Sequence, residues 1–212
     1  MNYIKKLIKA IVPVIIYLVL SYFVILGSCF VYYLLGYRDL EVFVINYASY
    51  ILVIFNIIYI LVLLKRNTIF IRKSKYIIPL FMLGISYACF GNMLILYINT
   101  NDVVNMNIIF LILSSVIVGP IIEEIIFRYI LIKRLNSFNN RFMSIVISSI
   151  IFALAHSGII NIIYTFILGI ILGIIYIKDK NLLNPIILHS SANLISLFLY
   201  SYNPYIMLVS FV

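Results

Sequence analysis

Apolar runs of membrane-spanning length follow one another through most of this 212-residue chain and leave it one class of fold. A transmembrane helix needs about 20 mostly apolar residues in a row, and the runs here reach that length. With 66% hydrophobic and only 10% charged residues, and a mean hydropathy of +1.22, the chain cannot clothe a globule in polar groups. Period-2 alternation is absent, which argues against an outer-membrane barrel. The expectation is an all-α fold: a polytopic transmembrane helical bundle of about seven spans, multi-pass in a cell membrane. Heavy use of Ile, Asn, Lys and Tyr points to an AT-rich bacterial genome.

Charge sets the expected topology. The net charge of +9 would suit a nucleic-acid binder, but the bases sit in short clusters beside the ends of apolar runs, so nucleic acid is not an expected partner. Lys5, Lys6 and Lys9 precede a run ending near Leu35. Lys65, Arg66, Arg72, Lys73 and Lys75 fill the connection after a second run (Val42 to Leu64). A third run (Tyr76 to Ile98) leads to a polar loop, Asn99 to Asn107, holding Asp102. The fourth ends at Lys133, Arg134 and Arg141. A fifth run (Phe142 to Ser157) and a sixth (Ile159 to Ile177) are separated by Gly158, and the sixth closes on Lys178 and Lys180. The last runs from about Pro185 to Tyr200. A cytoplasmic N-terminus with seven spans puts all four basic clusters on one side of the membrane. The chain thus divides into three N-terminal transmembrane helices (residues 1–107), a four-helix core (108–201) and a short tail (202–212).

Some local features read as structural. Cys29 and Cys89 lie in different runs without paired spacing, which suits core positions rather than a disulfide or metal site. Leu26-Gly27-Ser28-Cys29 loosely resembles a lipoprotein cleavage box, yet the run is too long for a signal segment, so a first transmembrane helix is expected. Pro13 is expected within the first helical turn, where proline costs least. Gly169 and Gly173 form a small-xxx-small pair suited to close helix packing.

Charge enters the interior of an apolar run once, at Glu123-Glu124-Ile125-Ile126-Phe127-Arg128. A charge at the middle of a spanning helix costs roughly 2.5 to 3.5 kcal/mol on insertion scales, so these residues need partners and a function. The chain has two histidines, and both fall in apolar runs: Phe152 to His156 in the fifth, His189 to Asn193 in the seventh. At a rise of about 1.5 Å per residue, Glu123, His156 and His189 lie roughly 15, 21 and 12 Å from the cytoplasmic ends of their runs and can share one layer. His189 and Asn193, four apart, share a helix face, as do Phe152 and His156, placing that phenyl ring beside the imidazole. Glu124 is four residues before Arg128, which suits an internal ion pair. Glu123 points about 100° away and is left for chemistry, as a base for water.

Glu-Glu-x-x-x-Arg, Phe-x-x-x-His and His-x-x-x-Asn, in this order on successive apolar segments, resemble the CPBP family, the CAAX-protease and bacteriocin-processing (Abi) intramembrane proteases. The resemblance covers roughly Ile108 to Tyr200. It implies an α-helical core around a membrane-embedded endopeptidase site and, as substrate, a hydrophobic peptide or membrane protein reached within the lipid bilayer. It further implies that Glu123 and His156 hold and activate a water, that His189 and Asn193 stabilise the oxyanion, and that Glu124, Arg128 and Phe152 support them. No cofactor is expected. If zinc were used, Glu123, His156 and His189 would hold it, whereas Asn193 is a poor zinc ligand. The roles open to such a protein are peptide maturation, CAAX-type processing and bacteriocin self-immunity; the sequence carries no signal for an oligomeric state.

Other protease types lack their residues here: there is no His-Glu-x-x-His, no Gly-x-Ser-x-Gly and no Asp within a run. The competing readings are a non-catalytic membrane peptide-binding or immunity protein and a proton-coupled transporter. A binder needs no base together with oxyanion donors, and a transporter of this kind is usually built from repeats, which the chain does not show.

Overall fold

The computed structural model describes residues 3–39, 43–66, 69, 71–96 and 108–202. The loop expected at Asn99 to Asn107 and the end of the tail, 203–212, lie outside them. The described residues form seven helices and no strand. They are α1 (Tyr3–Leu34), α2 (a wide-turned Val44–Ala48 leading into Ser49–Arg66), α3 (Ile77–Leu96), α4 (residues 108–135), α5 (Arg141–Leu154), α6 (Ile159–Asp179) and α7 (Leu183–Tyr202). This is an all-α membrane helical bundle. Tyr3–Leu34, Ile109–Leu135 and Ile159–Asp179 are each long and apolar enough to cross a membrane, and Ile77–Gly91, Arg141–Leu154 and Leu183–Leu199 are shorter apolar helices.

Burial ranks the helices. The most apolar stretch of α4 is 56% buried, that of α6 39% and that of α1 17%, so α4 is the innermost of the three and α1 an outer one. Ile122, Ile125, Ile126, Phe127 and Leu131 of α4 pack with Ala10, Val14 and Tyr17 of α1 and with Phe152 of α5. Tyr17 donates to Asn56 Oδ1 of α2 at 3.1 Å, tying the two outer helices together with one buried polar bond. Pro13 lies well inside α1, not in its first turn, because the helix already starts at Tyr3. Residues near a proline can be re-satisfied by neighbouring groups inside a membrane bundle, so the helix continues through it.

Glycines set the close approaches. A Cβ on Gly84 of α3 would overlap Ser191 Oγ and the Leu188 carbonyl of α7, and one on Gly169 would lie 3.0 Å from Ser149 Cβ of α5. Gly173 likewise faces Ile145, so the Gly169/Gly173 pair is the seam between α5 and α6.

Two helices depart from regular geometry where the site lies. In α4, residues Ile112–Val118 and Ile125–Ile132 have π-type turns on either side of the α-helical Gly119–Glu124. The Gly119 N–H donates to the Ser114 carbonyl, five residues back. A Cβ on Gly119 would sit 2.8 Å from that oxygen, so a glycine is required there. The widened turn also spares the ring of Pro120 the clash it would make four residues back in an α-helix. In α5, Asn140 caps the start by accepting from the Met143 N–H at 2.8 Å. The helix ends at Leu154, so His156 lies in the bend beyond it and not inside the helix expected to run to Ser157. Gly158, with φ of +82°, reverses the chain into α6 in a conformation natural only to glycine.

Candidate active site

The three charged residues in the interior of α4 are withdrawn from the surface: Glu123 is 4% exposed, and Glu124 and Arg128 are 0% exposed. Arg128 Nε donates to Glu124 Oε2 at 2.9 Å. Its Nη1 donates to Ser148 Oγ of α5 at 3.3 Å, and Ser148 donates in turn to the Phe127 carbonyl at 2.9 Å. The guanidinium also lies 4.9 Å from the centroid of the Phe152 ring, a cation–π contact. A buried charge is tolerated only when partnered in this way, and removing one member of such a pair costs roughly 3 to 5 kcal/mol.

Glu124 does more than balance Arg128. Its Oε1 lies 3.0 Å from His189 Nδ1 on α7. A carboxylate oxygen only accepts, so Nδ1 carries the hydrogen, and Glu124 fixes both the tautomer and the tilt of the ring. The other ring nitrogen, Nε2, is 3.6 Å from Glu123 Oε2, close enough for electrostatic attraction and too far for a hydrogen bond. That Glu123 oxygen is buried and has no hydrogen-bond partner.

His156, 6% exposed, is oriented by backbone. Its Nδ1 donates to the Phe152 carbonyl at 2.9 Å, which makes Nε2 the basic nitrogen. From the first turn of α6, Asn161 Nδ2 donates to the Ser157 carbonyl at 3.0 Å and so holds the bend that carries His156. The Phe152 ring stands edge-on to both imidazoles, with centroids 4.9 Å from His156 and 5.8 Å from His189.

Asn193 donates through Nδ2 to the Ser115 carbonyl of α4 at 2.8 Å. The need for that bond lies in α4 itself. In its π-type stretch the Gly119 N–H goes to Ser114, and the next residue, which would serve the Ser115 carbonyl in the same register, is Pro120 and has no N–H. Asn193 supplies the missing donor.

The structure therefore gathers Glu123, Glu124 and His189 directly, and joins Phe152 to His156, His189 and Arg128. Asn193 is anchored to the same helix as the glutamates. Ser148, Asn161 and Ser115 take part without having stood out in the sequence, since none belongs to a motif. Among the described residues no three His, Cys, Asp or Glu side chains are arranged to hold a metal ion. Both Nδ1 atoms donate to protein acceptors, so water or a metal ion would meet either ring through Nε2.

Comparison with known proteins bears on the same segment. Residues 105–195 match the family described as type II CAAX prenyl endopeptidase Rce1-like. The chain is 36% identical over 92 residues to the "Putative membrane peptidase YdiL" of Bacillus subtilis, covering 43% of this chain and 37% of that protein. It is 31% identical over 144 residues to the "Membrane-embedded CAAX protease MroQ" of Staphylococcus aureus, covering 58% of each. The matched regions thus span only about a third to just over a half of the length of these relatives. No solved structure matches the chain. The segment that builds the polar core thus lies within the one that matches the Rce1-like family, and the resemblance to the CPBP family carried by its three motifs is borne out.

Proposed function

We propose that the polar core is the active site of an intramembrane endopeptidase that hydrolyses a peptide bond of a hydrophobic peptide or membrane-protein substrate with a glutamate-activated water. The observation that carries this reading is Glu123 Oε2, a buried carboxylate oxygen without a hydrogen-bond partner facing an oriented imidazole at 3.6 Å. Nothing in the packing requires an acid there, and water in such a place would be polarised by Glu123 and by the basic Nε2 of His156.

In the proposed reaction Glu123 takes a proton from water as its oxygen attacks the scissile carbonyl carbon, and the carbonyl oxygen becomes an oxyanion. His189 and Asn193 face that charge. With Nδ1–H already given to Glu124, His189 donates from Nε2 only as an imidazolium, and the adjacent Glu124 carboxylate stabilises that cation. Asn193 keeps its second Nδ2 hydrogen for the oxyanion while the first stays on Ser115. The proton on Glu123 then passes to the leaving amine. No step uses a metal, in keeping with an amide among the four polar groups. Residues 1–107 would form the outer wall, residues 108–201 the protease core and 202–212 a tail, with the N-terminus and all four basic clusters on the cytoplasmic side of a bacterial plasma membrane.

The test is cleavage of a membrane-embedded reporter peptide by purified protein in lipid nanodiscs, read by mass spectrometry, with proton flux measured in parallel in liposomes. Two new peptide ends dependent on Glu123 support the proposal. Tight peptide binding without cleavage would leave the binding or immunity reading, and peptide-independent proton flux the transporter reading.

A further inference from the structure

Where α4 gives way to α5, the structure has a second polar feature unrelated to the glutamates. A cavity of about 420 Å³ opens between the end of α4, the start of α5 and the end of α6. Its floor is buried and largely apolar, with Ile132 1% and Tyr129 8% exposed, while Lys133, Arg141 and Lys180 line its mouth. No carboxylate lines it, and among the described residues none of the three bases makes a salt bridge. The nearest acid in sequence, Asp179, accepts from Asn184 Nδ2 at 2.7 Å on α7. Lys133 lies over the Tyr129 ring, 4.7 Å from its centroid, with Nζ 3.4 Å from the hydroxyl.

Lys180 adds an independent sign. It is the one non-glycine residue with a positive φ among the described residues, at +49°. This left-handed place at a helix C-cap is normally given to glycine or asparagine, and a lysine there is strained. A cation near the end of α6 does complement the helix dipole, but Lys178 already serves that purpose in the last turn.

We propose that this cavity binds the phosphate of an anionic phospholipid, with the headgroup among Lys133, Arg141 and Lys180 and an acyl chain against Ile132 and Ile177. Three cations lining one cavity with no carboxylate call for a compact anion, and the apolar floor calls for the hydrocarbon attached to it. Basic residues at a membrane surface contribute about 1 kcal/mol each to such binding, about fivefold in affinity, so removing three should weaken it about a hundredfold.

The experiment is native mass spectrometry of the full chain released from nanodiscs of phosphatidylglycerol and phosphatidylcholine. Wild type should retain phosphatidylglycerol and not phosphatidylcholine, and the triple variant Lys133→Gln, Arg141→Gln, Lys180→Gln should lose it. Lys180→Gly guards against misfolding, because glycine suits the left-handed backbone better than lysine; it should bind phosphatidylglycerol about fivefold more weakly without a fall in melting temperature. Lys6→Gln with Lys9→Gln, outside this cavity, should retain the lipid as wild type does. Equal retention of both lipids, or unchanged retention in the triple and Lys180→Gly variants, would overturn the proposal. So would thermal stabilisation by inorganic phosphate alone equal to that by phosphatidylglycerol, since the ligand would then be a free anion.

Discussion

Glu124 on α4 joins a residue of its own helix to one of α7: Oε2 takes the Arg128 guanidinium at 2.9 Å and Oε1 takes His189 Nδ1 at 3.0 Å. Glu124→Gln should therefore fail twice. It leaves a buried guanidinium without its counter-charge, at roughly 3 to 5 kcal/mol, and it no longer supports a charged His189. Adding Arg128→Met should restore much of the melting temperature but not the cleavage of a reporter peptide. If the double variant regains cleavage with its stability, Glu124 serves Arg128 alone.

Glu123 carries no such structural duty. Glu123→Gln keeps the shape of the side chain and removes the proton acceptor. Expression and melting should stay near wild type while cleavage falls by about 10² to 10⁴. A Glu123→Gln protein that still cuts would remove the base from the proposed mechanism.

The bond between Asn193 and the Ser115 carbonyl exists because position 120 has no N–H to offer. Pro120→Ala restores a backbone donor and should release the Asn193 amide. The helix should melt no earlier, and reporter cleavage should fall by roughly the 10² to 10³ expected for a misplaced oxyanion donor. Unchanged cleavage, with a new backbone hydrogen bond seen by slowed exchange of the residue 120 amide, would show that Asn193 does not depend on Ser115 for its placing.

Much of this arrangement could be read along the chain because its periodicity is local. The four-residue spacing from Glu124 to Arg128 gave an ion pair, and hydropathy located the helices to within a few residues. What escaped is what depends on packing between helices. Glu124 reaching His189, and Ser148 receiving Arg128, depend on which helices become neighbours. The π-type turns of α4 leave no mark on hydropathy, and their cause, Gly119-Pro120, looks in sequence like an ordinary helix irregularity. His156 was placed inside a helix because alanine and leucine continue the apolar run past the point where the backbone turns.

The proposed mechanism needs no metal. Cleavage should survive exhaustive chelation, and purified protein should hold no stoichiometric zinc. Loss of cleavage on chelation, recovered by added zinc, would overturn the glutamate-activated water without metal and assign Glu123 and the Nε2 atoms of His156 and His189 to the ion.

Orientation in the membrane can be checked with single cysteines in a background without Cys29 and Cys89. Arg38→Cys should react with an impermeant thiol reagent from outside cells and Lys73→Cys only after permeabilisation. Labelling of both from one side would break the alternation that puts all four basic clusters inside.

The shortness of α5 has a physical consequence for its surroundings. Its 14 residues rise about 21 Å, against a hydrocarbon thickness of about 30 Å. Lipid meets such a mismatch by thinning, so the bilayer beside α5 should be drawn in by several ångströms toward the bend that carries His156. The last carbonyls of a helix that stops at this depth cannot be left to hydrocarbon, and any not taken by the protein draw in water. A truncated helix thus shortens the path by which a hydrolytic reagent, nearly insoluble in the medium around it, reaches Glu123.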